Sequence, residues 1–247
     1  MKSTVYSISG EKLREVDMPS FFSVPVRKDL INRAFVTERN GERQPYGASK
    51  EAGERHAVAS WGVGRGVARL PRLTGSSRAA FAPQAVGGRR AHPAKPERIW
   101  STKMNDKERI KAFCSALAAT ARADVISLRG HKFDEKVSFP LIVENKFQEL
   151  DRTKDVIKVL LTFGVYDDVL RAFNGRKRRK GGYKTPRSLL ILASEGKPIF
   201  AGARNITGID VRTPSTVRIS DLAPGGTPGR LTIYCESTIE ELRRLGK

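Results

Sequence analysis

A chain of 247 residues that is 39% hydrophobic holds apolar material for one large core or two modest ones, which excludes a wholly disordered protein. Its 46 lysines and arginines against 26 acids leave a formal charge of +20, far beyond what solubility requires, so a polyanionic partner is expected, nucleic acid ahead of an anionic membrane. The membrane is set aside because no run approaches about 18 consecutive apolar residues, and "MKSTVYSISGEKL" lacks the apolar stretch of a signal peptide.

The chain therefore reads as soluble, unexported and cytoplasmic. Cys114 and Cys235, with His56, His92 and His131 scattered, offer neither a disulfide framework nor zinc spacing, so no metal or other cofactor is expected and a reducing compartment fits.

In chain order, "STVYSIS" alternates Val5 and Ile8 loosely with polar residues, and "EKLREVDMP" follows as a second strand able to pair with it. "PVRKDLINRAFV" sets Val26, Leu30 and Ala34 on one face behind Pro25, the pattern of an amphipathic helix with proline at its entry. After a long basic stretch, "NDKERIKAFCSALAATARA" repeats Ile110, Phe113, Leu117 and Ala121 at helical spacing, with Asn105 or Asp106 as cap. "FPLIVEN" is a short unbroken apolar run typical of a strand covered on both faces. "DRTKDVIKVLLTFG" follows it as a helix carrying Val156, Ile157, Leu160 and Leu161 ahead of Gly164. "SLLILAS" predicts a second buried strand, and "KPIFAGARN" a short helical or irregular piece. "GRLTIYC" alternates Leu231 and Ile233 with polar neighbours, and "ESTIEELRRL" opens a helix with a capping box from Ser237 to Glu240.

Strand runs alternating with amphipathic helices predict an α/β domain whose mainly parallel or mixed sheet is sandwiched between helices. Residues 1–42 and 99–247 supply that globular domain. Residues 43–98 form a long extended loop inserted between two helices.

The excess charge is concentrated. Arg43, Lys50, Arg55, Arg65, Arg69, Arg72, Arg78, Arg89, Arg90, Lys95 and Arg98 face only Glu51, Glu54 and Glu97, a net +8. Arg171, Arg176, Lys177, Arg178, Arg179, Lys180, Lys184 and Arg187 face no acid between them, again +8. The rest of the chain carries only +4. Charge of this density predicts phosphate contact for both segments.

The inserted segment contains Pro45, Pro71, Pro83, Pro93 and Pro96, and is broken by glycines at 47, 53, 62, 64, 66, 75, 87 and 88. Val63, Val67 and Leu70 fall at helical spacing, but Gly62, Gly64 and Gly66 each cost about 1 kcal/mol relative to alanine inside a helix. Leaving and returning as two extended arms of about 27 residues, it would reach at most about 90 Å at about 3.3 Å per residue. Such an arm is an entropic burden in free solution, and a large RNA would order it through phosphate contacts and base stacking. Its arginines fork onto phosphates, and Trp61, Tyr46 and Phe81 offer flat faces to unstacked bases.

Enzymatic motifs are missing. "GVGRGV" places Val67 where a dinucleotide loop needs its third glycine, there is no phosphate loop of the G-x-x-x-x-G-K-[ST] type, and no serine elbow is present. Asp167 and Asp168 read as a solvated helix face rather than a metal pair. Cys114 reads as a small buried hydrophobe. His131, beside Arg129 and Lys132, reads as an RNA contact rather than a catalyst. An RNA-modifying or RNA-cleaving enzyme and a DNA-architectural protein are the alternatives, the first disfavoured by the missing cofactor loop and carboxylate cluster.

The segments "GEKLREVDMP", "VPVRKDLINRAF", "ERQPYGASKEAGERHAVASWGVGRGVARLPRL", "AFAPQAVGGRRAHPAKPERIW", "CSALAATA", "GARNITGID" and "LAPGGTPGRLTIYCES" closely resemble, in order and across nearly the whole chain, the large-subunit ribosomal protein four family in its archaeal and eukaryotic form. The resemblance implies a globular α/β domain bound to the 5′ domain of the large-subunit rRNA, acting early in subunit assembly without catalysis or homo-oligomerisation. It implies that the loop penetrates the subunit and forms the narrow point of the nascent-peptide exit tunnel with large-subunit ribosomal protein twenty-two. Gly62, Gly64, Arg65, Gly66, Val67 and Arg69 would line that tunnel. The expected rRNA contacts are Arg43, Lys50, Arg55, Trp61, Arg65, Arg69, Arg72, Arg78, Arg89, Arg90, Lys95, Arg129, His131, Arg176, Lys177, Arg178, Arg179, Lys180, Lys184 and Arg187. Two departures stand out: "TGSSRAAFAP" lacks the histidine-bearing, more basic stretch typical of the family, and the run at 174–187 is short. That no long extension follows Lys247 favours the archaeal form.

Overall fold

The computed structural model describes residues 2–134, 137–194 and 197–245. The chain divides into two units, Met1–Asn40 with Thr102–Lys247, and Gly41–Ser101.

The first unit opens with β1 (Lys2–Tyr6) and β2 (Lys12–Asp17), an antiparallel hairpin in the register Lys2↔Asp17 to Val5↔Arg14. A 3-10 turn at Ser20–Ser23 then buries Phe21 and Phe22, and α1 (Lys28–Gly41) buries Ile31 and Ala34. The second unit contributes the two-residue strands β3 (Val58–Ala59) and β4 (Arg72–Leu73). Back in the first unit, α2 (Asp106–Thr120) and α3 (Ala123–Leu128) lead to β5 (Leu141–Val143), followed by α4 (Thr153–Thr162) and α5 (Tyr166–Asn174). β6 (Lys177–Arg179) and β7 (Gly182–Lys184) form a small hairpin of their own. The remainder is β8 (Leu190–Leu192), α6 (Lys197–Ala203), β9 (Asp210–Arg212), α7 (Ile219–Leu222), β10 (Thr232–Cys235) and α8 (Glu236–Leu245).

The six-stranded sheet has the order β2-β1-β5-β10-β8-β9 and is parallel except for the β1/β2 pair. Because successive side chains in a strand point to opposite faces, the short apolar strands feed two cores at once. Leu141, Val143, Ile191, Ile233 and Cys235 enter one, with Val156, Leu160, Val169 and Ile199 from α4, α5 and α6. Ile142, Leu190, Leu192 and Tyr234 enter the other, with Ile31, Ala116, Leu117, Leu222 and Ile239 from α1, α2, α7 and α8. The predicted α/β sandwich with a mixed sheet is the observed architecture.

Local expectations are corrected in five places. α1 begins three residues after Pro25, so Val26 precedes it, and Ile31 rather than Leu30 is buried beside Ala34. β10 does not alternate: Thr232, Ile233, Tyr234 and Cys235 are all buried, because it is an inner strand covered by helices on both faces. The buried side of α2 runs through Ala112, Ser115, Ala116 and Leu117 to Thr120, while Ile110 is exposed and Phe113 half-buried, because its first turn lies outside the core. Leu161 of α4 is exposed, and Val159 takes its place. Ser237 is not a cap: α8 begins at Glu236, the Asn145 side chain accepts the Ser237 N–H at 2.9 Å, and Ser237 Oγ accepts from Gln148 Nε2 at 2.7 Å. The cap thus comes from a residue distant in sequence, which no local motif announces.

Candidate nucleic-acid interface

The unit Gly41–Ser101 buries, among its described residues, only Ala80 and Ala82. Burying two methyl groups cannot offset the entropy of ordering a segment of this length. Polar and close-packed contacts join its two arms. The Ala48 N–H donates to the Ala94 carbonyl at 2.9 Å, and a Cβ on Gly47 would lie 2.5 Å from the Pro96 nitrogen and 2.6 Å from the Ala94 oxygen, so only glycine fits. Lys50 pairs with Glu97 at 3.1 Å and Arg89 with Glu54 at 3.4 Å, both from arm to arm, and Arg55 pairs with Glu51 at 2.9 Å. Arg43 and Arg98 stack on Trp100, 3.8 and 4.5 Å from the ring centroid.

All three acids between Arg43 and Arg98 are therefore engaged with bases of the same unit. From Arg55 to Pro96 the sequence contains no acid. β3 and β4 pair Val58 with Leu73 and Ala59 with Arg72, making residues 60–71 the tip of a hairpin. There Gly62, Gly64 and Gly66 adopt φ of +72°, +82° and +68°, and nothing lies within 4 Å of the position a Cβ would take on any of them. Val63 is 73% and Val67 43% exposed. Trp61 has Arg65 and Arg72 at 5.9 and 5.1 Å from its ring. Arg72 also donates to the carbonyls of Ser77 and Ala68. Arg65, Arg69, Arg78, Arg90 and Lys95 are exposed; Arg72 and Arg89 are half-buried.

The second basic segment is the hairpin β6–β7, with Lys177 opposite Lys184 and Arg178 opposite Tyr183. Arg176, Lys177, Arg178, Arg179, Lys180 and Lys184 are exposed, and Arg176 stacks on Tyr183 at 4.1 Å. The ends of the segment differ from its middle. Arg171 donates from Nε to Asp168 at 2.7 Å, and Arg187 donates to Asp210 at 2.5 Å. Asp210 also accepts, at 2.5 Å, from Arg230, whose side chain is 1% exposed and which donates further to the carbonyls of Ser188, Leu189 and Asp221.

Two of the residues expected to contact rRNA are placed differently from the exposed cations. The His131 side chain is 2% exposed and hydrogen-bonded through Nδ1 to the wholly buried Asp168 at 2.9 Å, so it is a core group rather than a surface one. Burial pushes its pKa down, against the pull of Asp168, and the ring is neutral at neutral pH. Asp168 is no solvated carboxylate: burial pushes it up, but hydrogen bonds from His131, Arg171 and Ser188 hold it well below the usual range. Arg129 is half-buried and spends its guanidinium on the carbonyls of Thr227 and Pro224; burial brings it down to about 10, still a cation at neutral pH. Cys114 is half-buried rather than buried.

Sequence reasoning passed over Trp100 and Tyr183, the aromatic partners of Arg43, Arg98 and Arg176. Each is an isolated aromatic inside a basic run, which is the signal that marks them. Among the described residues, no helix is long and apolar enough to cross a membrane, and no three His, Cys, Asp or Glu side chains are placed to hold a metal ion.

Residues 16–245 match the model of the ribosomal protein L4/L1 family. The chain is 44% identical over 250 residues to the large ribosomal subunit protein uL4 of Methanocaldococcus jannaschii, covering 98% of each chain. It is 43% identical to that of Haloquadratum walsbyi, with 98% of this chain and 99% of the relative covered. It is 41% identical to that of Methanopyrus kandleri over the whole of both. A match of this extent, over a chain whose bare cations lie on an acid-free hairpin tip and a second exposed hairpin, confirms the resemblance carried by the motifs: the chain belongs to the ribosomal protein L4/L1 family.

Proposed function

We propose that this protein is a structural component of the large ribosomal subunit in the cytoplasm, binding large-subunit rRNA by charge neutralisation and by filling space between RNA helices, with no catalytic step. The uL4 proteins it matches are named for that subunit. The observation that carries the reading is the unit Gly41–Ser101, which has almost no core, spends its acids at the stem, and leaves an acid-free tip with exposed arginine and open glycine turns.

In this reading residues 1–42 and 99–247 form the globular rRNA-binding domain, directed at the 5′ domain, and residues 43–98 reach into the RNA during early assembly. Gly62, Gly64, Arg65, Gly66, Val67 and Arg69 line the exit tunnel beside large-subunit ribosomal protein twenty-two and meet the nascent peptide. The open space around the tip glycines supports this, since the chain itself supplies nothing to fill it.

Binding of a 5′-domain rRNA transcript as a function of salt tests the proposal. Affinity is expected to fall steeply with salt, and the log–log slope to lessen by about 0.7 to 0.9 for each phosphate contact removed when Arg176, Arg178 and Arg179 are changed to glutamine. An unchanged slope removes the hairpin from the interface. Equal affinity for duplex DNA at matched salt defeats the ribosomal reading.

A further inference from the structure

The basic hairpin rises from two feet, the end of α5 and residues 185–188, and a single carboxylate touches both. Asp168 Oδ1 accepts from Arg171 Nε at 2.7 Å and from the Lys132 backbone N–H at 3.0 Å. Its Oδ2 accepts from Ser188 Oγ at 2.6 Å, His131 Nδ1 at 2.9 Å and Arg171 Nη2 at 3.2 Å. Arg171 precedes the hairpin and Ser188 follows it. Arg171 Nη2 also donates to the Arg187 carbonyl at 3.0 Å, closing the ring across the hairpin's base.

The surrounding backbone is fitted to the same purpose. The Ser188 N–H donates to the Gly208 carbonyl at 2.8 Å. Gly208 sits at φ +82°, where a Cβ would lie 2.9 Å from the Pro186 carbonyl oxygen and 3.0 Å from the Cβ atoms of Ala172 and Ser188, one on each foot. Arg187 is held separately by Asp210 at 2.5 Å.

From this geometry we infer that Asp168 is a positioning residue for nucleic-acid binding: it clamps the two feet of the hairpin 176–184 and presents its six cations to a phosphate backbone as a preset array. The inference rests on the proposed function for the identity of the ligand, but the clamp itself belongs to the free protein. Asp168 touches no ligand. Its own charge, placed near the cations, would weaken phosphate binding, so its contribution is geometric and acts through Arg171 and Ser188. A preset array avoids the ordering cost on binding, which for even one or two backbone residues amounts to about tenfold in affinity.

The experiment compares wild type with Asp168→Asn and Ser188→Ala, the second removing one hydrogen bond and leaving the buried charge satisfied by its other partners. Amide hydrogen exchange is measured in the free full chain, and the salt dependence of binding on a 5′-domain rRNA transcript. The clamp predicts faster exchange confined to residues 176–187 in both variants, and affinity about tenfold lower for Asp168→Asn with an unchanged salt slope, because the same cations still reach phosphate. Wild-type exchange in both variants overturns it. So does exchange that rises equally across β5, β8 and β10, which would make Asp168 an ordinary core group. Faster exchange in the hairpin with wild-type RNA affinity overturns the positioning role, whereas absence of the hairpin from the RNA interface is read separately, from an unchanged salt slope when Arg176, Arg178 and Arg179 are changed to glutamine.

Discussion

Residues 176–184 and the unit Gly41–Ser101 both present bare arginine and lysine, yet the first is anchored at the buried Ala172 and Ser188, whereas the second buries two alanines among its described residues. Asp168 and Asp210 neutralise and fix the base of the hairpin, and its middle is left charged. In the inserted unit Glu51, Glu54 and Glu97 do the same at the stem, but through exposed or half-exposed pairs that contribute little on their own. Similar charge is thus mounted in two ways: one array is ordered by folding, and the other depends on what surrounds it to hold a shape.

The largest effect expected from this contrast is in stability. Ile191→Ala, in the inner strand β8, is expected to cost about 2 to 5 kcal/mol in urea denaturation. Deleting residues 58–73 should leave the midpoint of the same transition unchanged, since none of those residues is buried. Unfolding of the deletion variant would place that segment in the core and erase the distinction.

A smaller effect is a pH dependence confined to the hairpin's side of the core. His131 has a folded pKa below its ordinary value, so the unfolded chain takes up the proton that the buried ring resists, and stability falls as pH falls below about 6.5. One such proton gives a slope of at most about 1.4 kcal/mol per pH unit. Asp168, also depressed, adds its own loss only below about 4. Thermal denaturation from pH 7 to 5 should show the first limb in wild type and a flatter one in His131→Gln. Equal limbs would mean that the ring is not buried neutral.

The smallest effect is local. In a Trp61→Phe background Trp100 is the sole indole reporter. Gly47→Ala, which drives a methyl group against the Pro96 and Ala94 backbone at the stem, should red-shift Trp100 emission and raise its quenching by iodide, as the arms carrying Arg43 and Arg98 separate. Gly64→Ala, with open space at its Cβ, should leave Trp100 unchanged and act only through the strain of a positive φ. Identical responses would mean that stem and tip are one continuous structure.

The inner strands at "FPLIVEN" and "SLLILAS" were legible because an unbroken apolar run has no exposed side to spare. "GRLTIYC" was misread as alternating because threonine, tyrosine and cysteine count as polar in a pattern but are buried here, Tyr234 sharing its hydroxyl with Thr120 at 2.7 Å. The charge map was equally legible, since charge is additive along a sequence. Which charges are spent was not: Asp168 meets its partners His131 and Ser188 only through the fold, and its neighbour Asp167 gives no hint of the difference. Burial of His131 overrode the basic surroundings that made it look like a surface contact.

The middle of the sheet is filled by β10, the last of its strands in chain order, which enters between β5 and β8. During synthesis β1, β2 and β5 can associate on one side and β8 with β9 on the other, but the halves have no common neighbour until residues 232–235 leave the ribosome that makes them. A nascent chain stopped short of that point presents two apolar strand edges, open to pairing with another chain until β10 fills the gap.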